Sequence, residues 1–573
     1  MAQSSSAASQ APPHATLPHG CKGLDDVDIV PDEGVSALSR QLLEGCIRHT
    51  FTEVSQVTQL IGQGADPRAL GGLRVSRVPP YARYSCLSFA IDSPANGLFL
   101  YAYGPFPAQV PLFLPQWSSR ELQRDIINAL IDGGADINDG DGSERPIKIA
   151  IRAGNLTAVE ALLERQANVR GFTVMQLPYV SEAAAALTCQ YEDALMSVYR
   201  RLIQHDSTLA AERTFGSCLV HSAAVKSARF SQQFIDQYLT LITSHGADMT
   251  ATDTDGSTPL HWAAKAGSPC VADWLCRQLT VNDVNRGMPN YWGPQPHRTA
   301  PLAVAAEALY DIIQVQRQGE WDARRIREHR TTIRVLLRGG AAPCIARMPT
   351  ATDMQRRRRQ LVLAEYATVL GELSDVVMSA INGALAPQRD HSMLLARLLP
   401  LAPHHDGAHP HPSPSNMAFG PHEAEAIGWK IGAFLHEPPA AVAAIDQYLI
   451  GESVLRRRVR AAVGHFVKSA ATQTSSNREV VGGTRYEQQG DKRVKVTVPP
   501  LQCFAFRGSG GQGVLKGVRE VVHWARLDEV SHGGVGVVKG FNEHLGDQDC
   551  QFSWQQLGRI DKGTGLFVPL GID

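Results

Sequence analysis

The chain has 573 residues, more than one ordinary hydrophobic core organises, so roughly two to four domains are expected unless part of it is a repeat array. Its hydrophobic fraction of 43% supports a packed interior, and a formal net charge of -1 excludes a long-range field for nucleic acid or an acidic membrane surface. Ten scattered cysteines without a CxxC pair argue against a zinc site or a disulfide scaffold, and point to reduced thiols in the cytoplasm.

The first elements in chain order are irregular. The leader, residues 1–35, begins MAQSSSAASQAPPHATLPHG, has no acidic residue before Asp25, and lacks the basic start and apolar core of a secretory signal. Its Ser, Ala, Gln and Pro content predicts disorder. No run of about 18 apolar residues occurs, so no membrane partner is expected. The most apolar stretch, LFLYAYGPFPAQVPLFLP, is broken by Gly104 and four prolines.

From Ser36 a unit recurs. Its best copy is DTDGSTPLHWAAKAG, Asp253 to Gly267. Asp253 to Ser257 reads as a polar turn, Thr258 as a helix cap, and Pro259 as a first helical residue whose missing N–H costs nothing. Leu260, Ala263 and Ala264 share a helix face, and Gly267 ends the helix. A second helix follows, with Val271, Trp274, Leu275 and Leu279 at helical spacing. Stretches comparable to TPLHWAA are SCLSFAI at Ser85, RPIKIAI at Arg145, CLVHSAA at Cys218 and APLAVAA at Ala300. Second-helix endings recur as LIGQGADP, LIDGGADIN, LLERQANV, LITSHGADM and LLRGGAAP.

These residues resemble ankyrin repeats, whose motif carries TPLHxAA and a terminal GAD-type turn. The resemblance covers residues 36–345, with an insertion at 92–120 and a degenerate unit around Phe172 to Asp206. It implies stacked helix pairs with a concave binding face. It also implies contact residues just before the TPLH-like stretch and just after its two alanines. Those positions are Thr254, Asp255, Ser257 and Lys265 in the best unit, Glu144 and Arg152, Phe215, Ser217 and Lys226, and Glu307 in the others. His261 resembles the family's buried histidine, which bonds neighbouring turn backbone. The insertion holds Tyr101, Phe106 and Trp117 among several prolines, which suits either a partner-binding loop or a lid packed on its own repeats.

Beyond Ile345 the pattern changes. Residues 346–400 read as helix, with Leu361, Leu363, Tyr366, Val369 and Leu370 on one face. A His/Pro-rich linker spans 401–421, and its His404, His405, Asp406, His409 and His411 are read as solvated rather than as metal ligands. Helix returns at 422–474. The basic runs Arg356 to Arg359 and Arg456 to Arg460 read as solvated helix faces. Residues 475–573 turn to β, as in RVKVTV and LQCFAF, and their glycine runs fit neither GxxxxGK[ST] nor GxGxxG. The segment Phe506-Arg507-Gly508 resembles the first motif of ADP-ribosyltransferases, but that family's Ser-Thr-Ser and Glu-x-Glu motifs are missing. Cys503, His523 and Asp528 have the residue types of a thiol mechanism without a spacing that specifies one.

The expected fold is mainly α: an irregular ankyrin-type helical solenoid, a helical middle region and a small α+β C-terminal domain. The expected role is a protein–protein interaction scaffold, cytoplasmic and monomeric, with no cofactor, no metal and no catalytic residues. The alternative is an effector whose tail modifies a host target chosen by the repeats. The leader's resemblance to the export signals of bacterial type III effectors carries that alternative, with secretion into a host cell.

Overall fold

The computed structural model describes residues 21–75, 82–97, 99–103, 109–140, 144–171, 173–180, 187–214, 216–226, 229–288, 299–315, 320–399, 438–472, a few positions between 427 and 435, and six strands beyond 483. It divides into two compact units: Met1–Leu275 with Met288–His297, and Cys276–Gly287 with Arg298–Asp573. The fold is mostly helical.

In the first unit, helices come in pairs. They are α1 (Ala37–Arg48) with α2 (Val54–Gly62), α3 (Cys86–Phe89) with α4 (Arg120–Asp132), and α5 (Pro146–Arg152) with α6 (Leu156–Glu164). Then follow α7 (Cys189–His205), which stands alone, α8 (Leu219–Lys226) with α9 (Gln232–Ser244), and α10 (Pro259–Ala266) with α11 (Pro269–Gln278). The second-helix row runs α2 on α4, α4 on α6, α6 on α7 and α7 on α9. The first-helix row runs α1 on α3 and α3 on α5, then resumes with α8 on α10. Between α5 and α8 in sequence, residues 173–180 form turn and no helix.

Local chemistry sets these boundaries. Ser36, Ser85, Ser119, Asn155, Thr188 and Ser231 each accept a first-turn amide at a helix start, and Pro146 and Pro259 occupy the first turn of α5 and α10. At the other end of the pair one turn repeats. Gly64, Gly134 and Gly246 adopt φ of 104°, 103° and 102°, which only glycine takes without strain. The next amide then reaches five residues back: Ala65 to Leu60 O at 3.0 Å, Ala135 to Leu130 O at 2.9 Å and Ala247 to Ile242 O at 3.0 Å. Gln166 makes the same step at φ 63°, and Ala167 bonds Leu162 O at 2.9 Å. Asp66, Asp136, Asn168, Asp206 and Asp248 each accept the amide two residues on, at 2.8–3.0 Å. Asp206 marks α7 as the second helix of a unit that lacks a described first one.

Among the described residues of this unit, side-chain bonds hold residues 173–180. Met175 and Leu177 are buried, and the carbonyls of Met175 and Gln176 accept from Tyr238 Oη at 2.6 Å and Tyr199 Oη at 2.8 Å. Burial holds both phenols well above their ordinary pKa. The two rings pack with centroids 5.2 Å apart.

One sequence expectation is corrected here, and one of the two readings of the insertion is favoured. Residues 21–35 of the leader are ordered: β1 (Asp28–Pro31) pairs antiparallel with β2 (Leu70–Arg74), and Lys22 exchanges backbone bonds with Pro111 and Phe113 at 3.1 and 2.9 Å. The insertion is no free loop. Strands β4 (Leu100–Tyr103) and β5 (Gln109–Leu112) complete a five-stranded sheet of order β1-β2-β4-β5, with β3 (Tyr84–Ser85) also on β2. Under it lies a buried polar knot. Asp92, wholly buried, binds Arg120 through both oxygens at 2.5 and 2.8 Å, and also accepts from Gln123 and Asn155 side chains and the Trp117 amide. A charge so enclosed is tolerated because its lone pairs are occupied.

The second unit holds α12 (Val281–Val284), α13 (Pro301–Val315), α14 (Glu320–Leu336), α15 (Pro343–Arg347), α16 (Asp353–Leu398), α17 (Pro438–Tyr448) and α18 (Val454–Thr472). Leu373, Val377, Ile381 and Ala384 of α16 meet Ala441 and Ile445 of α17 and Val459, Val463 and Val467 of α18. The face expected on α16 is displaced: Val362, Val369 and Leu373 are buried, whereas Leu363 is exposed. The basic runs are also more than solvated faces. Arg358 pairs with Glu307 at 3.0 Å and Asp311 at 3.4 Å, and Arg456 and Arg460 both hold Asp446, at 3.0 and 3.2 Å. Arg338 bonds the Tyr448 carbonyl at 2.6 Å and stacks on that ring at 4.6 Å. Gly340, at φ 101°, repeats the turn seen at Gly246.

Beyond 483 the described strands pair as hairpins: β8 (Thr484–Gln489) with β9 (Lys492–Thr497), β10 (Phe504–Ser509) with β11 (Gln512–Gly517), and β12 (Gly558–Ile560) with β13 (Phe567–Pro569). The linker at 401–421, the first twenty residues, Cys503, His523 and Asp528 lie outside the described residues. Among the described residues no helix is long and apolar enough to cross a membrane.

Candidate protein-binding face

The best repeat copy shows how a turn tip is built. Asp253 Oδ1 accepts the amides of Asp255 and Ser257 at 2.9 and 2.8 Å, and its Oδ2 accepts from Trp262 Nε1 at 2.7 Å. One carboxylate thereby fixes the tip and ties it to the helix behind. Thr254 and Asp255 are exposed, Ser257 is half-buried, and Lys265 is exposed over the Trp262 ring at 5.8 Å. The adjacent tip is a short hairpin, β6 (Arg213–Thr214) with β7 (Ser217–Cys218). Its Gly216, at φ 80°, sits so close to Thr254 that an added Cβ would lie 3.1 Å from the Thr254 methyl. Neighbouring tips therefore touch.

The bond expected of the family's buried histidine is seen at His221. His221 Nε2 lies 3.0 Å from the Ser257 carbonyl, just before the cap of the next helix, and its Nδ1 accepts from the Cys218 amide at 3.2 Å. His261 is buried, with Nδ1 2.8 Å from Thr258 Oγ1. Ser88 of α3 takes the histidine's place nearer the N-terminus: its Oγ donates to the Glu144 carbonyl at 3.0 Å, again the residue before a cap. The His221 and Ser88 bonds clamp one unit's helix to the next unit's tip.

Cys218 and His221 also resemble a thiol dyad, with Sγ 3.1 Å from Nδ1. Burial pushes the Cys218 thiol up and the His221 imidazole down, each toward its neutral form, and the pair is bonded to the backbone at Asp248 and Ser257.

Residues 255–286 match the family model described as Ankyrin repeat. The chain carries an ankyrin repeat. No curated protein matches the chain. The matched segment begins within the Asp253 turn and includes α10 and α11, and ankyrin repeats generally bind other proteins. No ligand chemistry is implied by the repeat itself.

The expected contact residues separate into five groups. Thr254, Asp255, Ser257, Ser217 and Lys265 lie on or beside the touching tips, and Glu144, Arg152 and Lys226 are half-buried on and beside α5 and α8. Tyr101 and Trp117 are corrected: they are 6% and 4% exposed. Trp117 Nε1 bonds the Ala90 carbonyl at 2.8 Å and its ring packs on His49, and Tyr101 Oη bonds the Tyr179 carbonyl at 3.4 Å, so both serve internal packing. Glu307 is exposed but engaged by Arg358 in the second unit. Phe106 and Phe215 lie outside the described residues.

Sequence reading missed Lys148, Gln176 and Tyr179. Lys148 stands three residues after Arg145 and four before Arg152, spacings that share one helix face. Burial lowers its pKa, and Lys226, Arg152 and Arg145 lower it further while Glu144 opposes them. Lys226 is lowered likewise, by burial and then by Arg152, and donates to Gln176 Oε1 at 3.1 Å.

Proposed function

We propose that the chain is a protein-interaction scaffold whose repeats over residues 36–345 stack as an irregular solenoid and capture another protein. The contact surface comprises the turn tips at Ser217 and Thr254 to Ser257, Lys265, and the half-buried positions Glu144, Arg152 and Lys226. The observation that carries this reading is the contact between consecutive tips at Gly216 and Thr254. Tips held edge to edge by buried clamps form a preorganised surface, and preorganisation lowers the entropy lost on binding.

The test uses full-length protein with a photo-crosslinking residue at position 255, at 265, or at 237 on α9, where exposed Gln237 stands on a second helix. The same protein adduct is expected from 255 and 265 and none from 237. Equal yield from 237, or no adduct from the first two, contradicts the reading.

A further inference from the structure

Strand β1 is an edge of its sheet, and the ladder fixes which of its backbone groups turn outward. The pairing of Asp28 with Arg74, Val30 with Gly72 and Pro31 with Gly71 brings Asp32 opposite Leu70, and the Asp32 amide bonds the Leu70 carbonyl at 3.0 Å. Bonded and non-bonded pairs alternate along an antiparallel ladder. Asp28 and Val30 therefore bond β2, whereas Val27, Ile29 and Pro31 turn their backbone groups away from it. Val27 is extended, with φ -132° and ψ 144°, and continues the strand. Among the described residues no other strand takes up this edge. Pro31 has no N–H to offer, and an edge is where a strand tolerates that.

A cleft of about 490 Å³ runs along the edge, between residues 27–31 and Arg40, Glu44 and Arg48 of α1. Strand and helix lie side by side and antiparallel: Ser36, five residues beyond Pro31, caps α1, and Arg48 at its far end returns to Asp25 at 3.0 Å. A Cβ added to Gly71 would lie 3.1 Å from the Leu43 side chain, so the sheet face that Gly71 shares with Pro31 and Ile29 is the one toward α1. Arg40, Glu44 and Arg48 stand four positions apart, about 6 Å along the helix. Alternate side chains of an extended strand stand about 7 Å apart. A strand added to the β1 edge thus sets three successive side chains of one face beside a cation, an anion and a cation. Among the described residues Arg40 and Glu44 have no ion-pair partner, and Arg48 holds Asp25, whose side chain is 96% exposed. So exposed a pair exchanges readily for another carboxylate.

We propose that β1 and α1 bind an extended segment of another protein by strand addition, the guest carrying acidic, basic and acidic residues at alternate positions toward α1. Main-chain bonds at Val27, Ile29 and Pro31 hold the guest, and Arg40, Glu44 and Arg48 select its charges. That charge order is the same in both strand directions. A second copy of the chain is a poorer occupant. Pairing β1 with itself about Ile29 sets the Val27 carbonyl against Pro31, which has no donor, and VDIVP has no basic residue to meet Glu44. The surface is separate from the turn tips and does not depend on that reading.

The test is fluorescence anisotropy of full-length protein with the labelled peptide Thr-Glu-Thr-Lys-Thr-Glu-Thr, against the reversed peptide Thr-Lys-Thr-Glu-Thr-Lys-Thr. The parent is expected to bind the first at least about tenfold more tightly than the second, less so as salt rises. The variant carrying Arg40→Glu, Glu44→Arg and Arg48→Glu should invert that preference. A gain of binding to the reversed peptide cannot come from misfolding, so the swap stays decisive if the variant is less stable. Methylating the peptide's amides in alternate sets checks the backbone: one set should abolish binding and the other leave it, because only every second amide of an added strand faces β1. The proposal is overturned by an unchanged preference in the variant, by an equal effect of the two methylated sets, or by no binding of either peptide. It is also overturned if sedimentation shows a dimer that the peptide dissociates, which assigns the edge to a second copy.

Discussion

Two units of the same repeat solve one problem differently. The α10–α11 unit keeps the capped first helix, the histidine and the ordered tip, and it is the one the family model matches. The α7 unit has no described first helix, yet it keeps the second helix and its Asp206 turn, and fills the vacancy with residues 173–180 under two tyrosines. The second-helix row thus tolerates loss of its inner partner, provided the exposed backbone carbonyls find donors.

The sharpest way to break the comparison is at the tyrosines. Tyr238→Ala removes both a buried ring and the bond to Met175, and should cost about 3–5 kcal/mol in urea unfolding. Tyr238→Phe isolates the bond and should cost about 1–3 kcal/mol, because the carbonyl is left buried and unpaired. His221→Ala, the matching cut in the clamp on the Ser257 tip, falls in the same range of about 1–3 kcal/mol.

Alkaline titration separates the units without mutation. The phenols of Tyr191, Tyr199 and Tyr238 are held up by burial, whereas unfolded tyrosine ionises near pH 10. Above about pH 10 the folded state therefore retains protons the unfolded chain has lost, and stability falls as pH rises. Lys148 and Lys226 act oppositely. Their lowered values let the folded state shed protons first, adding stability up to the unfolded lysine value near 10.4 and nothing beyond it. A decline setting in clearly above about pH 10.4 is expected by chemical denaturation, and it should be shallower in the Tyr199→Phe, Tyr238→Phe double variant.

Smaller effects probe the shared turn. Gly246→Ala, at φ 102°, should cost about 1–2 kcal/mol, while Gln166→Gly, already in the left-handed region, should gain roughly up to 1 kcal/mol in thermal melts. Arg165 forms a paired bond with exposed Asp132 at 2.7 and 3.1 Å, and Arg165→Ala should leave the melting temperature nearly unchanged because solvent screens the pair.

The readable parts of the sequence were those governed by local rules. The TPLH-like starts, the Gly64, Gly134, Gly246 and Gly340 turns and the buried histidine all depend on residues within a few positions of one another. The sheet was not readable, because β2 takes its partners from residues 28–31, 84–85 and 100–103, and nothing in LFLYAY names those partners. Aromatic residues among prolines looked like interface anchors, but Tyr101 is interior as part of strand β4 and Trp117 is interior against His49 and the Ala90 carbonyl. Runs of arginine looked solvated because their acceptors, Glu307, Asp311 and Asp446, are distant or ambiguous in one dimension. Of the contact face, the tip residues were legible from repeat register.

The most direct test of the account is capture of the protein identified by crosslinking, measured side by side for three full-length forms: the parent, a variant with Asp255→Arg and Lys265→Glu, and a variant with Gln237→Arg. The account expects capture to fall at least about tenfold in the tip variant, with its melting temperature unchanged, and to persist with Gln237→Arg. Undiminished capture by a folded tip variant would contradict the claim that these repeats present their tips to a partner.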